Sequence, residues 1–296
     1  HIPDIIQFIQ KLVKQKNAYE NNGDVYFNLS TFKDYGKLSK IKIEELKPQE
    51  EGLGKRNQND FALWKRAKPM EPYWESPWGR GRPGWHIECS AMSSKYFGPQ
   101  FDIHGGGEDL IFPHHENEIA QSEAYFKKKP WVKYWIHTGM LIMGKNPMSK
   151  SIGNVINVNE FLKKHDAIET RFNLISGHYR TQMIFNEEAL ENSKNTYHKL
   201  ENAARTIKSL AGQENEKNTE ETVRIINKII RIRENFINSM DNDFDTPKAI
   251  AELHKLTAIS NKQIIPREDA LAAKFALKIY REAAEILGIF TKIFKN

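Results

Sequence analysis

The sequence predicts an α/β first half followed by an α-helical bundle, and three observations carry that reading. Residues 2–16 place Ile5, Ile6, Ile9, Leu12 and Val13 on one helical stripe, with Pro3 in its first turn. Residues 24–29 and 101–104 read as short strands. From residue 187 onward apolar side chains recur with helical spacing, and no β-like alternation interrupts them.

Each element follows in order. The turn Asn22-Gly23 separates the first helix from the strand at 24–29. Residues 48–59 are polar, with Gly52 and Gly54 among Glu50, Glu51, Lys55 and Arg56, and read as an exposed loop. Aromatic, proline and glycine residues then crowd positions 61–85, including Trp64, Trp74, Trp78 and Trp85. A first bundle helix at 187–210 carries Leu190, Tyr197, Leu200, Ala204 and Ile207. A polar joint at 213–222 leads to a second helix at 223–240 with Ile226, Ile229, Ile230, Phe236, Ile237 and Met240. Pro247 opens a third helix with Ile250, Leu253 and Leu256, and residues 267–287 form a fourth. The two halves meet somewhere between residues 140 and 187.

Composition bounds the rest. A chain of 296 residues is long enough for about two domains. It is 39% hydrophobic and carries 16 Phe, 10 Tyr and 6 Trp, enough to build cores and to exclude wholesale disorder. No run of 18 apolar residues occurs and the mean hydropathy is −0.65, so no helix of membrane-spanning character is expected. The one cysteine, Cys89, excludes an internal disulfide framework and fits a reducing, cytoplasmic setting. The net charge of +6 permits a polyanionic partner without demanding one, because the charges are spread.

Two stretches carry chemistry. The first is Gly81-Arg82-Pro83-Gly84-Trp85-His86-Ile87-Glu88-Cys89-Ser90-Ala91-Met92, followed by Phe101-Asp102-Ile103-His104-Gly105-Gly106-Gly107-Glu108-Asp109 and Phe112-Pro113-His114-His115-Glu116-Asn117-Glu118. Gly105–Gly107 reads as a turn where backbone approaches a ligand closely, and Pro113 sits where a helix starts. His114 and Glu118 are then one helical turn apart on a shared face. Histidine, glutamate and cysteine are legitimate zinc ligands. Singly, a lone cysteine is ordinarily a small buried hydrophobe and three glycines are ordinarily a turn. Together with His86, His104 and His115, they point to a site.

The second stretch is Gly144-Lys145-Asn146-Pro147-Met148-Ser149-Lys150-Ser151-Ile152-Gly153-Asn154. A glycine-flanked lysine between two serines suits a polyphosphate, the lysine as a point charge and the hydroxyls as hydrogen-bond partners. A solvated loop before a helix fits the same residues.

The combination resembles a known family. Met148-Ser149-Lys150-Ser151 resembles the KMSKS loop of class I aminoacyl-tRNA synthetases, and the two histidine-rich segments resemble cysteinyl-tRNA synthetases in particular. Asp60-Phe61-Ala62-Leu63-Trp64-Lys65, His178-Tyr179-Arg180 and Met240-Asp241-Asn242-Asp243-Phe244-Asp245-Thr246-Pro247 are similar to that family too. The resemblance implies a Rossmann-like catalytic domain, a stem-contact region and a helical bundle that contacts tRNA. Residues 1–140 would be the C-terminal part of the catalytic domain, with an inserted connective segment at about 17–60; residues 141–186 would hold the loop and stem contacts, and 187–296 the bundle. It also implies activation of L-cysteine with ATP and Mg2+ to cysteinyl adenylate, then transfer to tRNA(Cys), by a monomer. Zinc would be held by Cys89, His114 and Glu118, and would select cysteine over serine. Met148, Ser149, Lys150 and Ser151 would bind ATP, with Lys150 stabilising phosphate charge as the catalytic residue. Trp85, His104 and Asp109 would line the substrate pocket.

Three departures accompany the resemblance. No HIGH-type motif matches, the family's second zinc-ligating cysteine has no counterpart, and Pro147 stands where the family usually has lysine. The chain opens at His1 rather than Met, so the first half of the nucleotide fold is expected to precede it. With that part outside the sequence, the strand at 101–104 is expected to lack sheet neighbours. Two rival readings are a cysteine:amino-sugar ligase of mycothiol synthesis and a non-catalytic module that binds RNA or zinc.

Overall fold

The computed structural model describes residues 1–296 except 43–44, 46–53, 144–145, 148–152, 154, 215–217 and 295–296, together with the side chains of 146 and 147. The expected loop at 48–59 therefore falls largely outside the described residues, as do Met148, Ser149, Lys150 and Ser151. The chain divides into two compact units, His1–Thr138 and Gly139–Asn296.

The first unit starts with α1 (Ile2–Lys14), which buries Ile5, Phe8, Ile9 and Leu12 at helical spacing. Strands β1 (Ala18–Asn21) and β2 (Asp24–Phe27) form a hairpin. Its two turn residues, Asn22 and Gly23, both take positive φ, as a tight hairpin turn requires. Strands β3 (Phe61–Arg66) and β4 (Gly81–Pro83) complete an antiparallel sheet of order β1-β2-β3-β4. The sequence indicates β2 but not β1, whose four residues carry no alternation long enough to read.

After β4 come α2 (Trp85–Phe97), β5 (Phe101–Gly107), α3 (Glu116–Phe126) and β6 (Val132–Thr138). Strands β5 and β6 pair in parallel, with α3 in the connection between them. Two expectations are corrected here. Gly105–Gly107 is not a turn: the strand runs through all three, paired with Ile136, His137 and Thr138. Nor is the strand at 101–104 without neighbours, since β6 lies alongside it. One core, including Phe8, Leu12, Val25, Phe27, Trp64, Ile87, Ile119 and Trp131, joins α1, the antiparallel sheet, α2 and α3.

The second unit opens with β7 (Leu141–Met143) and β8 (Asn146–Pro147), then α4 (Val158–Leu162), α5 (Ala167–Ile175) and β9 (Met183–Ile184). The sheet order is β8-β7-β9. The bundle follows as α6 (Glu187–Ala211), α7 (Glu220–Asp241), α8 (Thr246–Ile259) and α9 (Ala270–Leu287). Side chains of Asn186, Thr219, Asp245 and Asp269 accept backbone N–H groups at their four N-termini. Helix α9 begins at Ala270, not at 267, because Asp269 caps it and also accepts the Thr222 hydroxyl at 2.7 Å. Leu200, Ile207, Ile225, Phe236, Leu253, Ala276 and Tyr280 form the core, and Phe172 of α5 belongs to it. No helix among the described residues is long and apolar enough to cross a membrane.

Candidate metal centre

Four consecutive elements of the first unit aim polar side chains at one point. Helix α2 contributes Trp85, His86 and Cys89; β5 contributes His104; the segment entering α3 contributes His114 and His115; α3 itself contributes Glu118. Phe112 is extended in the middle of that entering segment, which kinks the chain and presents the two histidines inward. The glycines of β5 open the space: a Cβ on Gly106 would lie 3.1 Å from the His115 ring.

The potential ligand atoms of Cys89, His114 and Glu118 lie within 4.8 Å of one another. A second group, His104, His115 and Glu118, meets the same limit and shares Glu118. Glu118 is wholly buried, and His114 and His115 are nearly so. Nε2 of His104 lies 2.8 Å from Glu118 Oε2. Nε2 of His114 lies 3.3 Å from Oε1, within ion-pair range. It is not in hydrogen-bond alignment, however, and Oε1 is left without a hydrogen-bond partner. A buried, unpartnered carboxylate oxygen beside a thiol and an imidazole is the donor arrangement that a divalent metal would satisfy.

Behind these groups stands a further layer. Nδ1 of His86 lies 2.9 Å from Nδ1 of His114, and Nδ1 of His115 lies 2.8 Å from Nε2 of His137. Burial, then the neighbouring His114, pushes the His86 pKa down to about 3. Burial likewise pushes His115 down to about 4. Both rings are therefore neutral at pH 7, the form in which imidazole accepts a hydrogen bond or ligates a metal. Burial opposes ionisation of Glu118, but the neighbouring imidazoles of His104, hydrogen-bonded to Oε2, and His114, at ion-pair distance from Oε1, outweigh it and hold the carboxyl below its usual range. Burial, reinforced by the Glu118 charge, raises the Cys89 thiol. A bound cation would reverse that last effect.

Other polar residues of α3 are buried as well. Glu116 accepts the backbone N–H groups of Gly36 at 2.9 Å, Leu38 at 3.1 Å and Ser39 at 2.8 Å. The Tyr35 hydroxyl donates to Asn117, and Lys37 pairs with Glu123. The loop at 35–39 is thus pinned to the helix that carries Glu118.

Of the remaining sequence-predicted residues, His104 joins the cluster, and Trp85 lays its half-exposed ring 4.5 Å from that of His114. Asp109 lies exposed in the turn after β5. Sequence reasoning missed His137 and Glu116. His137 could have been found only by pairing β5 with β6, and Glu116 looks like an ordinary charged residue of a surface helix.

Residues 1–195 match the family described as the tRNA synthetases class I (C) catalytic domain, and residues 235–291 match the DALR domain. The Cysteine--tRNA ligase of Thermococcus gammatolerans is 46% identical over 311 residues, covering 100% of this chain and 63% of the relative. That of Pyrococcus abyssi is 47% identical over 305 residues, with the same coverages. The counterpart from Carboxydothermus hydrogenoformans is 46% identical over 297 residues, covering 99% and 62%. The chain thus spans a little under two thirds of the length of these curated relatives. Among solved structures, a putative arginyl tRNA synthetase from Campylobacter jejuni superposes with a TM-score of 0.59 at 15% identity, over 97% of this chain and 61% of that one. A LeuRS from Agrobacterium radiobacter gives 0.55 at 14% identity, over 77% and 32%. At such identities the likeness speaks for the fold alone.

Proposed function

Because the chain belongs to the family of class I (C) tRNA synthetases, we propose that its protein is a cysteine–tRNA ligase. It activates L-cysteine with ATP and then esterifies tRNA(Cys). The observation that carries this is the convergence of Cys89, His114 and the unpartnered Oε1 of Glu118 in one buried cluster. Zinc is the metal that this sulfur, nitrogen and oxygen donor set suits. A zinc ion held there would supply a seat for a thiolate and so favour cysteine over serine, a pair that an apolar pocket separates only about 10²-fold.

The chain's own residues take the remaining roles. In the first step the cysteine carboxylate oxygen bonds to the α-phosphorus of ATP, and pyrophosphate leaves with the electrons of the broken P–O bond. Lys150, flanked by Met148, Ser149 and Ser151, stabilises the charge that builds on the phosphates, and Mg2+ accompanies the nucleotide. In the second step a terminal ribose hydroxyl attacks the acyl carbon, loses its proton, and AMP departs. Trp85, His104 and Asp109 line the amino-acid and adenylate pocket. His104 also fixes Glu118 through its 2.8 Å contact. Residues 1–140, with a connective insert at about 17–60, form the catalytic part; 141–186 hold the loop and stem contacts, and 187–296 the bundle that contacts tRNA. The protein works as a monomer in the cytoplasm.

The relatives' name favours this reading over a cysteine:amino-sugar ligase. The test is to charge tRNA(Cys) with cysteine using the full-length native protein, beside an amino-sugar ligation assay. Charging without ligation supports the proposal; ligation without charging overturns it.

A further inference from the structure

Two sequence motifs noted above, His178-Tyr179-Arg180 and the segment 240–247, meet in the second unit. Asp243 sits in the turn between α7 and α8. Its carboxylate accepts Arg180 Nε at 2.5 Å on Oδ2, Arg180 Nη2 at 3.0 Å on Oδ1, and the Tyr179 hydroxyl at 2.7 Å on Oδ1. Arg180 thus engages it with a two-pronged fork, and a third donor fixes the rotation. The Thr246 hydroxyl adds a longer contact, 3.4 Å, to the Gly177 carbonyl.

The backbone beneath these contacts is unusual. Asp243 and Phe244 are consecutive non-glycine residues at φ 57° and 54°. That left-handed conformation is disfavoured for L-residues, and pairs of such residues persist only where surroundings impose them. The ion pair is exposed, and exposed pairs add little to stability. Geometry is what this arrangement supplies.

What it holds leads straight to the phosphate loop. The Tyr179 carbonyl accepts the Gly139 N–H at 2.7 Å. The N–H groups of Met183 and Phe185 donate to Met140 at 3.0 Å and Ile142 at 2.9 Å. The two backbones are so close that a Cβ on Gly139 would lie 2.2 Å from the Thr181 carbonyl oxygen. Strand β7, laid down on this segment, ends at Met143 and runs directly into the stretch that contains Met148–Ser151.

We infer that Asp243 is a positioning residue for β7, the strand that precedes that loop in sequence: by clamping Tyr179 and Arg180 it fixes the segment on which β7 lies, so the α7–α8 turn sets the strand from which the chain continues into the ATP-binding loop. This rests on the reading that the loop binds ATP. A change in the helical bundle would then reach the nucleotide through one turn, one carboxylate and one strand.

The experiment uses Asp243→Ala, Asp243→Asn and Arg180→Lys in the full-length protein, with cysteine-dependent pyrophosphate exchange as the activity. The KM for ATP is expected to rise about two- to thirtyfold, the range typical of side chains that modulate coupling between sites. The KM for cysteine and the melting temperature should hold. Asp243→Asn, which keeps an acceptor for Tyr179, should lie between wild type and Asp243→Ala. Hydrogen exchange reads the same clamp with no substrate present: amides of 139–143 and 183–185 should exchange several times faster in Asp243→Ala, with those of 250–256 unchanged. An inactive wild type would count against the ligase reading, and exchange would then judge the clamp alone. Unchanged exchange at 139–143, or equal loss in both KM values together with a lower melting temperature, overturns the inference.

Discussion

Nε2 of His104 on β5 lies 2.8 Å from Oε2 of Glu118 on α3, so one oxygen of that carboxylate is committed while the other, Oε1, has no hydrogen-bond partner. Glu118 is shared by both potential ligand groups. A buried carboxylate with one oxygen unsatisfied is the group that a bound cation would complete.

The metal itself is the first prediction. The full-length protein should carry about one zinc per chain, and Cys89→Ser should lose most of it. Metal analysis after gel filtration measures this. Unchanged zinc in Cys89→Ser would remove Cys89 from the site.

His86 provides a second. Its ring orients His114 from behind, at 2.9 Å, without belonging to either ligand group. His86→Ala should weaken zinc binding about 10- to 100-fold, as loss of such outer partners typically does. Competition against a chromophoric chelator gives the affinity; an unchanged value would make the His86–His114 contact incidental.

Glu116 affects stability. Replacing it with glutamine leaves one acceptor oxygen for the three N–H groups of Gly36, Leu38 and Ser39. At least one would remain buried and unpaired, which costs about 1–3 kcal/mol. Urea unfolding should show an earlier midpoint with an unchanged slope, and no shift would mean that water takes over these groups.

The loop proposed to bind ATP gives the fourth. Lys150→Ala should slow adenylate formation about 10²- to 10³-fold while leaving cysteine binding intact, since one preorganised charge typically contributes about 3–4 kcal/mol to a transition state. Pro147→Lys should be neutral or mildly activating. Wild-type pyrophosphate exchange in Lys150→Ala would make the loop merely structural.

How much of this the sequence disclosed varied with the physics. The bundle was legible because α6–α9 each bury one face at helical spacing, and that signal is local. The His114–Glu118 spacing was legible for the same reason. Strand β6 was not, because pairing with β5 is a long-range contact that its residues do not announce. The glycines at 105–107 looked like a turn, yet they are strand residues at a place where side chains crowd in. Glu116, Asn117, Glu118 and Glu123 on α3 are all buried, although a run of charged and polar residues ordinarily reads as a solvated face. What reverses that expectation is the loop at 35–39, far away in sequence, which supplies partners to Glu116, Asn117 and Glu123, while His104 on β5 meets Glu118.

The most direct test of the central claim is pyrophosphate exchange by the full-length protein with cysteine and with serine as alternative substrates. The account predicts exchange that depends on cysteine and discriminates against serine by well over the roughly 10²-fold that a metal-free apolar pocket achieves. Exchange that accepts serine comparably, or none with cysteine, would contradict it.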